Sequence, residues 1–220
     1  MGTLTRSLAN NITTGGVIAP AGITNATVAD ITSFPNASSD ATLVLLSTQT
    51  ASASATISFT TGLDSTYDEY IFKFINIHPA TTSLFTFQGS TDGGSTYGVT
   101  ITSSFFRAFH NEADTATSLN YDTASDLAQS TAFQRFGDNV GNGTDECVSG
   151  YLQLYNPSSE IFVKHFISTN NMYAQTGSYS INSYLAGYFN TTSAVDAVQF
   201  KFSSGNIDDG IIKLYGVKKS

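Results

Sequence analysis

Two hydrophobic patterns divide the chain near residue 40. From residue 41 onward, apolar side chains recur at every second position in short runs, the period of a half-buried β-strand. Ala55, Ile57 and Phe59 alternate with Thr56, Ser58 and Thr60, and Ile161, Val163, His165 and Ile167 alternate with Phe162, Lys164 and Phe166. The alternation places His165 on a half-buried face. Tyr70 to Ile77 is more continuously apolar and predicts a central strand buried on both faces. Further strands are predicted over 84–88, 97–102, 148–155, 181–190, 194–203 and 211–217. The first two flank the turn Ser90–Thr96 and read as a hairpin. Asn156-Pro157-Ser158-Ser159, Gly205-Asn206 and Asp208-Asp209-Gly210 supply turns. Residues 103–149 are less regular. Phe105, Phe106 and Phe109 anchor their start, a polar and acidic run follows from Glu112 to Asp126, a short helix is expected over Ser125–Phe133, and Asp138–Gly143 is a loop by composition. About ten short strands with polar turns, and no long amphipathic helix, predict an all-β fold: an antiparallel β-sandwich, jelly-roll-like, over residues 41–220.

Residues 1–40 follow neither period. Leu4, Leu8, Ile12, Val17, Ile18, Ile23, Val28 and Ile31 are the sizeable apolar side chains before Phe34, scattered among Thr, Asn, Ala, Gly and Pro. Such a segment cannot bury enough surface to fold alone. It is expected to be an extended arm for attachment or oligomerisation. Three such arms around one axis would bury Ile12, Ile18, Ile23, Val28 and Ile31 against each other or against a larger assembly, each side chain worth roughly 1.5–3 kcal/mol. A homotrimer is the expected state.

Composition narrows the function. The apolar fraction is 40%, with 16 Phe and 11 Tyr, which suffices for a core. Charged residues are 12% of the chain, about half the usual share. The net charge of −8, nine Lys and Arg in all and no basic stretch argue against a phosphate-tracking nucleic-acid surface. One cysteine, Cys147, excludes an intrachain disulfide and reads as a small buried apolar residue rather than a nucleophile. No signal peptide is read at the N-terminus, and no run approaches the roughly 18 apolar residues of a membrane span. Five N-x-Ser/Thr sequons are expected by chance in a chain this rich in those residues.

The motifs are mostly structural. Ser90-Thr91-Asp92-Gly93-Gly94-Ser95-Thr96-Tyr97 resembles the Asp-box, S-x-D-x-G-x-T-W, of β-propeller blades. One copy cannot build a propeller, so Asp92 is read as accepting turn N–H bonds, with Gly93 and Gly94 at positive φ. Asp138, Asn142, Asp145 and Glu146 fall in one Gly-containing loop, a composition that suits Ca²⁺, but their spacing misses the EF-hand pattern. A solvated acidic loop is the better reading, and no metal or cofactor is expected. His78, His110 and His165 are far apart, and no nucleophile elbow, H-E-x-x-H helix or phosphate loop is present. Of the eleven tyrosines, Tyr173, Tyr179 and Tyr184 sit in the Ser/Asn/Gly-rich stretch around 170–183. Such aromatics can stack on sugars or make adaptable protein contacts, although packing at sheet edges explains each singly.

The opening Leu4–Gly16, the segment Leu45–Ser52, the motif Tyr67-Asp68-Glu69-Tyr70 and the ending Gly205–Gly216 resemble small virion proteins of marine tailed phages. The resemblance implies a non-enzymatic role at the virion surface, as capsid decoration, fibre or tail-attached protein, commonly trimeric. The arm over 1–40 would bind capsid or tail proteins, and the head over 41–220 would be displayed for host attachment, where it could meet host surface glycans. The alternative readings are a free carbohydrate-binding module or a receptor-binding tail protein.

Overall fold

The computed structural model describes residues 42–174 and 178–219. The expected arm over 1–40, with Leu4, Leu8, Ile12, Ile18, Ile23, Val28 and Ile31, lies outside the described residues. Those residues form twelve strands and no helix: β1 (Leu43–Thr50), β2 (Ile57–Phe59), β3 (Glu69–Pro79), β4 (Ser83–Ser90), β5 (Ile101–Asn111), β6 (Thr117–Tyr121), β7 (Gln134–Val140), β8 (Val148–Tyr155), β9 (Lys164–Ala174), β10 (Tyr179–Phe189), β11 (Ala197–Phe202) and β12 (Ile207–Val217). One sheet has eight strands in the order β1-β12-β3-β8-β9-β10-β5-β6, and the other has four in the order β2-β11-β4-β7. Every pair is antiparallel.

The pairing is nested. β4 pairs with β7, β3 with β8, β2 with β11 and β1 with β12. A long hairpin folded over itself in this way is a jelly roll, so the expected sandwich class holds. Two excursions enlarge it. β5–β6 leaves between β4 and β7, β9–β10 leaves between β8 and β11, and both join the larger sheet beyond β8.

Alternation explains the core. Phe59, Phe85, Phe87, Phe136 and Phe200 face inward from the smaller sheet, and Tyr70, Phe72, Phe74, Phe105, Phe166 and Phe189 from the larger, all nearly or fully buried. Phe200 stands at the centre, its ring within 5.2–6.5 Å of Phe59, Phe72, Phe74, Phe85, Phe87 and Phe136. The mixture of edge-to-face and stacked rings is the arrangement aromatic quadrupoles favour.

Several expected elements differ. Residues 84–102 are not a hairpin, because β4 pairs with β11 and β7 in one sheet while β5 pairs with β10 and β6 in the other. The turn after Ser90 therefore carries the chain between sheets. β3 is buried on one face only, since Lys73, Ile75 and Asn76 are exposed and no second layer covers that face of the large sheet among the described residues. The expected helix over Ser125–Phe133 is absent. Its backbone groups are satisfied from outside: Gln88 Nε2 donates to the Thr131 and Ala132 carbonyls, Gln134 Nε2 donates to the Ser125 carbonyl, and Ser103 N–H donates to the Leu127 carbonyl. Asp138–Val140 end strand β7 rather than open a loop. Asp208-Asp209-Gly210 lies inside β12 as an irregularity, where Gly210 has φ +123° and a Cβ would come within 2.7 Å of the Asn76 carbonyl oxygen. In β9 the inward residues are Lys164, Phe166, Ser168, Asn170 and Met172, so His165 is exposed rather than half-buried.

Removing the central ring leaves a cavity that six rigid neighbours cannot close. Phe200→Ala is expected to lower stability by about 3–5 kcal/mol, and Phe200→Leu by clearly less, in equilibrium urea unfolding. A loss below about 1 kcal/mol for the alanine variant would show that the core collapses around the gap.

Candidate functional site

The outer face of the eight-stranded sheet is the first candidate surface. Antiparallel register aligns Tyr121, Phe106, Tyr184, Thr169, Tyr151, Lys73, Lys213 and Thr48 in one row across all eight strands. The next row is Ser104, Ala186, Ile167, Gln153, Ile71, Tyr215 and Leu45. Phe106 and Tyr184 stand on adjacent strands with rings stacked at 4.7 Å and 10°. Behind the small pair Ser104 and Ala186, Tyr188 packs edge-on to His165 at 5.8 Å. The floor between these aromatic pairs is a hollow of about 520 Å³. Nine large hydrophobic side chains are exposed among the described residues; seven of them, Leu45, Ile75, Phe106, Leu119, Tyr121, Tyr151 and Ile167, lie on this face. Scattered exposed apolar residues need no explanation, but a concentration on one face marks a binding surface.

The second candidate is a cleft of about 360 Å³ beside β7, where the larger sheet extends past the smaller one. Its walls are Leu84, Phe109, Ala174, Tyr179 and Ile181, and its polar groups are Thr82, Arg107, Arg135, Asp138 and Asn139. Phe109 and Tyr179 meet edge-to-face at 5.1 Å and 73°. Arg107 on β5 forms an ion pair with Asp138 on β7, bridging the two sheets, and its guanidinium lies 5.9 Å from the Phe109 ring. Arg107 Nε is buried with no hydrogen-bond partner among the described residues. Nearby, burial pushes the Asp122 carboxyl up. Hydrogen bonds from Ser125 and the Ala124 amide, with the Arg107 and Arg135 charges, outweigh it and hold that carboxyl below its ordinary value.

The three tyrosines singled out in the sequence do not converge. Tyr173 and Tyr184 share the outer face but sit about four residues apart along the register, roughly 13 Å. Tyr179 points to the opposite face and lines the cleft. The acidic loop disperses as well. Asp138 goes to Arg107, Glu146 Oε2 accepts from the Gly143 amide, and Asn142 accepts from the Thr82 hydroxyl. Among the described residues no three His, Cys, Asp or Glu side chains come together as a metal site would require. His78 Nδ1 donates to the Glu146 carbonyl at 2.6 Å, His110 pairs with Asp114 at 3.0 Å in solvent, and His165 lies on the outer face. Cys147 is half-buried, and burial first, then the Asp145 charge, push its thiol up, away from nucleophilic character. Lys164 is fully buried, donating to the Phe162 and Thr191 carbonyls, and burial lowers its pKa. Sequence reasoning missed Arg107, Arg135, Asn139 and Phe109 as members of one cleft. A signal existed: two of the three arginines fall in the irregular segment 103–149.

The Ser90–Thr96 turn is held by side chains. The Asp92 carboxylate accepts from the Ser90 hydroxyl at 2.7 Å, the Thr96 amide at 2.9 Å and the Thr96 hydroxyl at 2.7 Å. The Gly93 amide donates to Asp196 and the Gly94 amide to Ser90 Oγ, with φ of +70° and +84° at the two glycines. At Gly94 a Cβ would also strike Thr60 Cγ2 at 2.6 Å.

Comparison with protein-family models, curated proteins and solved structures finds no match to the chain.

The Ser90 hydroxyl, then the Thr96 amide and hydroxyl, pull the Asp92 carboxyl down to about 2. A depressed folded-state pKa stabilises the fold above the unfolded value of about 3.9, and this stabilisation is lost as pH falls through the folded value. The difference in melting temperature between the native protein and Asp92→Asn is therefore expected to be full at pH 5 and to shrink between about pH 4 and 2. A difference independent of pH would assign Asp92 a steric role instead.

Proposed function

We propose that the protein is a non-enzymatic structural component of a phage particle surface. Residues 1–40 anchor it to capsid or tail proteins, and the jelly-roll head is displayed outward as decoration or as an adhesion module. Copies of the head associate as a homotrimer through the outer face of the eight-stranded sheet. The observation that carries this reading is the gathering of seven large exposed hydrophobics on that one face. Burying them against another protein recovers roughly 25 cal/mol per Å² of apolar surface. A second copy of this chain is the fitting occupant. The face carries few charges, Lys73, Lys213 and Glu69 among mostly uncharged side chains, so little like-charge repulsion opposes copies of the chain meeting there. The resemblance of both ends and the middle of the chain to virion proteins supports the particle location. The cleft beside β7 favours a second reading, recognition of host surface glycans by the same head.

Light scattering on the full-length protein is expected to give about three times 23.3 kDa. Leu119→Lys with Ile167→Lys changes two exposed positions, 71% and 44% accessible, and should yield folded monomers that keep the β-sheet circular dichroism and a cooperative melt. A monomeric native protein, or a double variant that keeps the trimer mass, would overturn association through this face. Antibody labelling of purified phage particles is expected to decorate capsid or tail, and unlabelled particles would overturn the virion reading.

A further inference from the structure

We infer that the cleft beside β7 is a binding site for a neutral saccharide. A sugar presents apolar C–H faces and a rim of hydroxyl groups that both donate and accept hydrogen bonds. The cleft offers the matching chemistry in one place: the Phe109 and Tyr179 rings, guanidinium donors on Arg107 and Arg135, acceptors on Asp138, and the Asn139 amide, which does both. Its volume of about 360 Å³ lies in the range of roughly 300–1,000 Å³ typical of small-ligand sites.

The charge balance selects a neutral ligand over an anion. Arg107 is already neutralised by Asp138, and ionised Asp122 faces both arginines through space. Counting Asp122 just outside the lining, two carboxylates stand against two guanidiniums, so the cleft offers no net positive charge to hold a carboxylate or phosphate. Nucleotides and acidic sugars are disfavoured for the same reason.

The pair is also poorly explained as a structural strut. Arg107 and Asp138 are only 21% and 34% exposed, and Arg107 Nε is buried unpartnered. Replacing a partly desolvated ion pair by packed apolar side chains is often neutral or stabilising, so stability alone gives no reason to keep it here. The four residues Arg107, Phe109, Tyr179 and Asp138 come from β5, β10 and β7, and two of those strands belong to the excursions that the eight-strand jelly roll does not need. The inference rests on the glycan reading of this cleft and not on the head's being carried on a particle.

The test is titration calorimetry on the full-length protein with lactose, maltose, N,N′-diacetylchitobiose and mannobiose, with sialyllactose and glucuronic acid as anionic probes, each at millimolar concentration. At least one neutral disaccharide is expected to bind, and the anionic probes to bind more weakly than it. Asn139→Ala alters an exposed residue and should weaken that binding by about tenfold or more with the melting profile and light-scattering mass unchanged; Tyr179→Ala removes one ring and should weaken it as much, with the mass unchanged and a lower melting temperature because the ring also packs against the core. Failure of all four neutral probes, tighter binding of an anionic probe, or binding that survives both variants would overturn the inference. Because the scattering mass is read in the same samples, loss of sugar binding and loss of assembly are told apart.

Discussion

Phe200 sits where the two sheets meet, and the rings that touch it come from four other strands: Phe59 on β2, Phe72 and Phe74 on β3, Phe85 and Phe87 on β4, and Phe136 on β7. Nested pairing forces this convergence. When β4 meets β7 and β3 meets β8, sequence-distant inward faces are stacked on one another, and the closure entropy of those long loops must be offset by burial. Each buried phenylalanine contributes roughly 1.5–3 kcal/mol, so a continuous aromatic layer is the term that makes the wrapped hairpin stable without a disulfide.

The two excursions then determine what the head can do. An eight-strand jelly roll has sheets of equal size that cover each other. Adding β5, β6, β9 and β10 to one sheet alone leaves an inner surface that no strand of the smaller sheet covers among the described residues. Part of it is covered by the irregular segment 122–133, which the buried Gln88 and Gln134 amides and Ser103 tie down through its carbonyls and amides. Beside β7, where that cover stops, the cleft opens. On the reverse side the same strands extend the outer face and bring Phe106, Leu119, Tyr121 and Ile167 into the open. One topological change thus creates both surfaces, one apolar and broad, the other small and mixed in chemistry.

The scarcity of charge suits this arrangement. With uncharged hydroxyl and amide groups on most of the surface, the few buried or half-buried charges have assigned partners: Lys164 on two carbonyls, Arg107 on Asp138, Glu146 on the Gly143 amide. Hydrogen bonds to ionised groups are stronger than neutral ones, so those of Lys164 and Glu146 fix local geometry that packing alone would leave loose.

The strand content of the head follows from local pattern. Alternation over Ala55–Phe59, the run Tyr70–Ile77 and the stretches at 148–155, 181–190 and 211–217 each coincide with a strand or most of one, because period two is a property of neighbouring residues. The Asp92 turn was readable for the same reason, since its bonds close within a few residues. What tertiary structure decided is everything that depends on which strand lies beside which. A turn with hairpin chemistry became a crossover between sheets because β4 found better partners in β11 and β7. A polar, acidic stretch became β6 because β5 offered it an edge. Ile71 and Ile75 were left on an open face although their side chains are as apolar as Phe72 and Phe74. The cleft was invisible in the sequence for the same physical reason. Arg107, Asp138 and Tyr179 belong to three separate strands, and only the register of two sheets brings their side chains together.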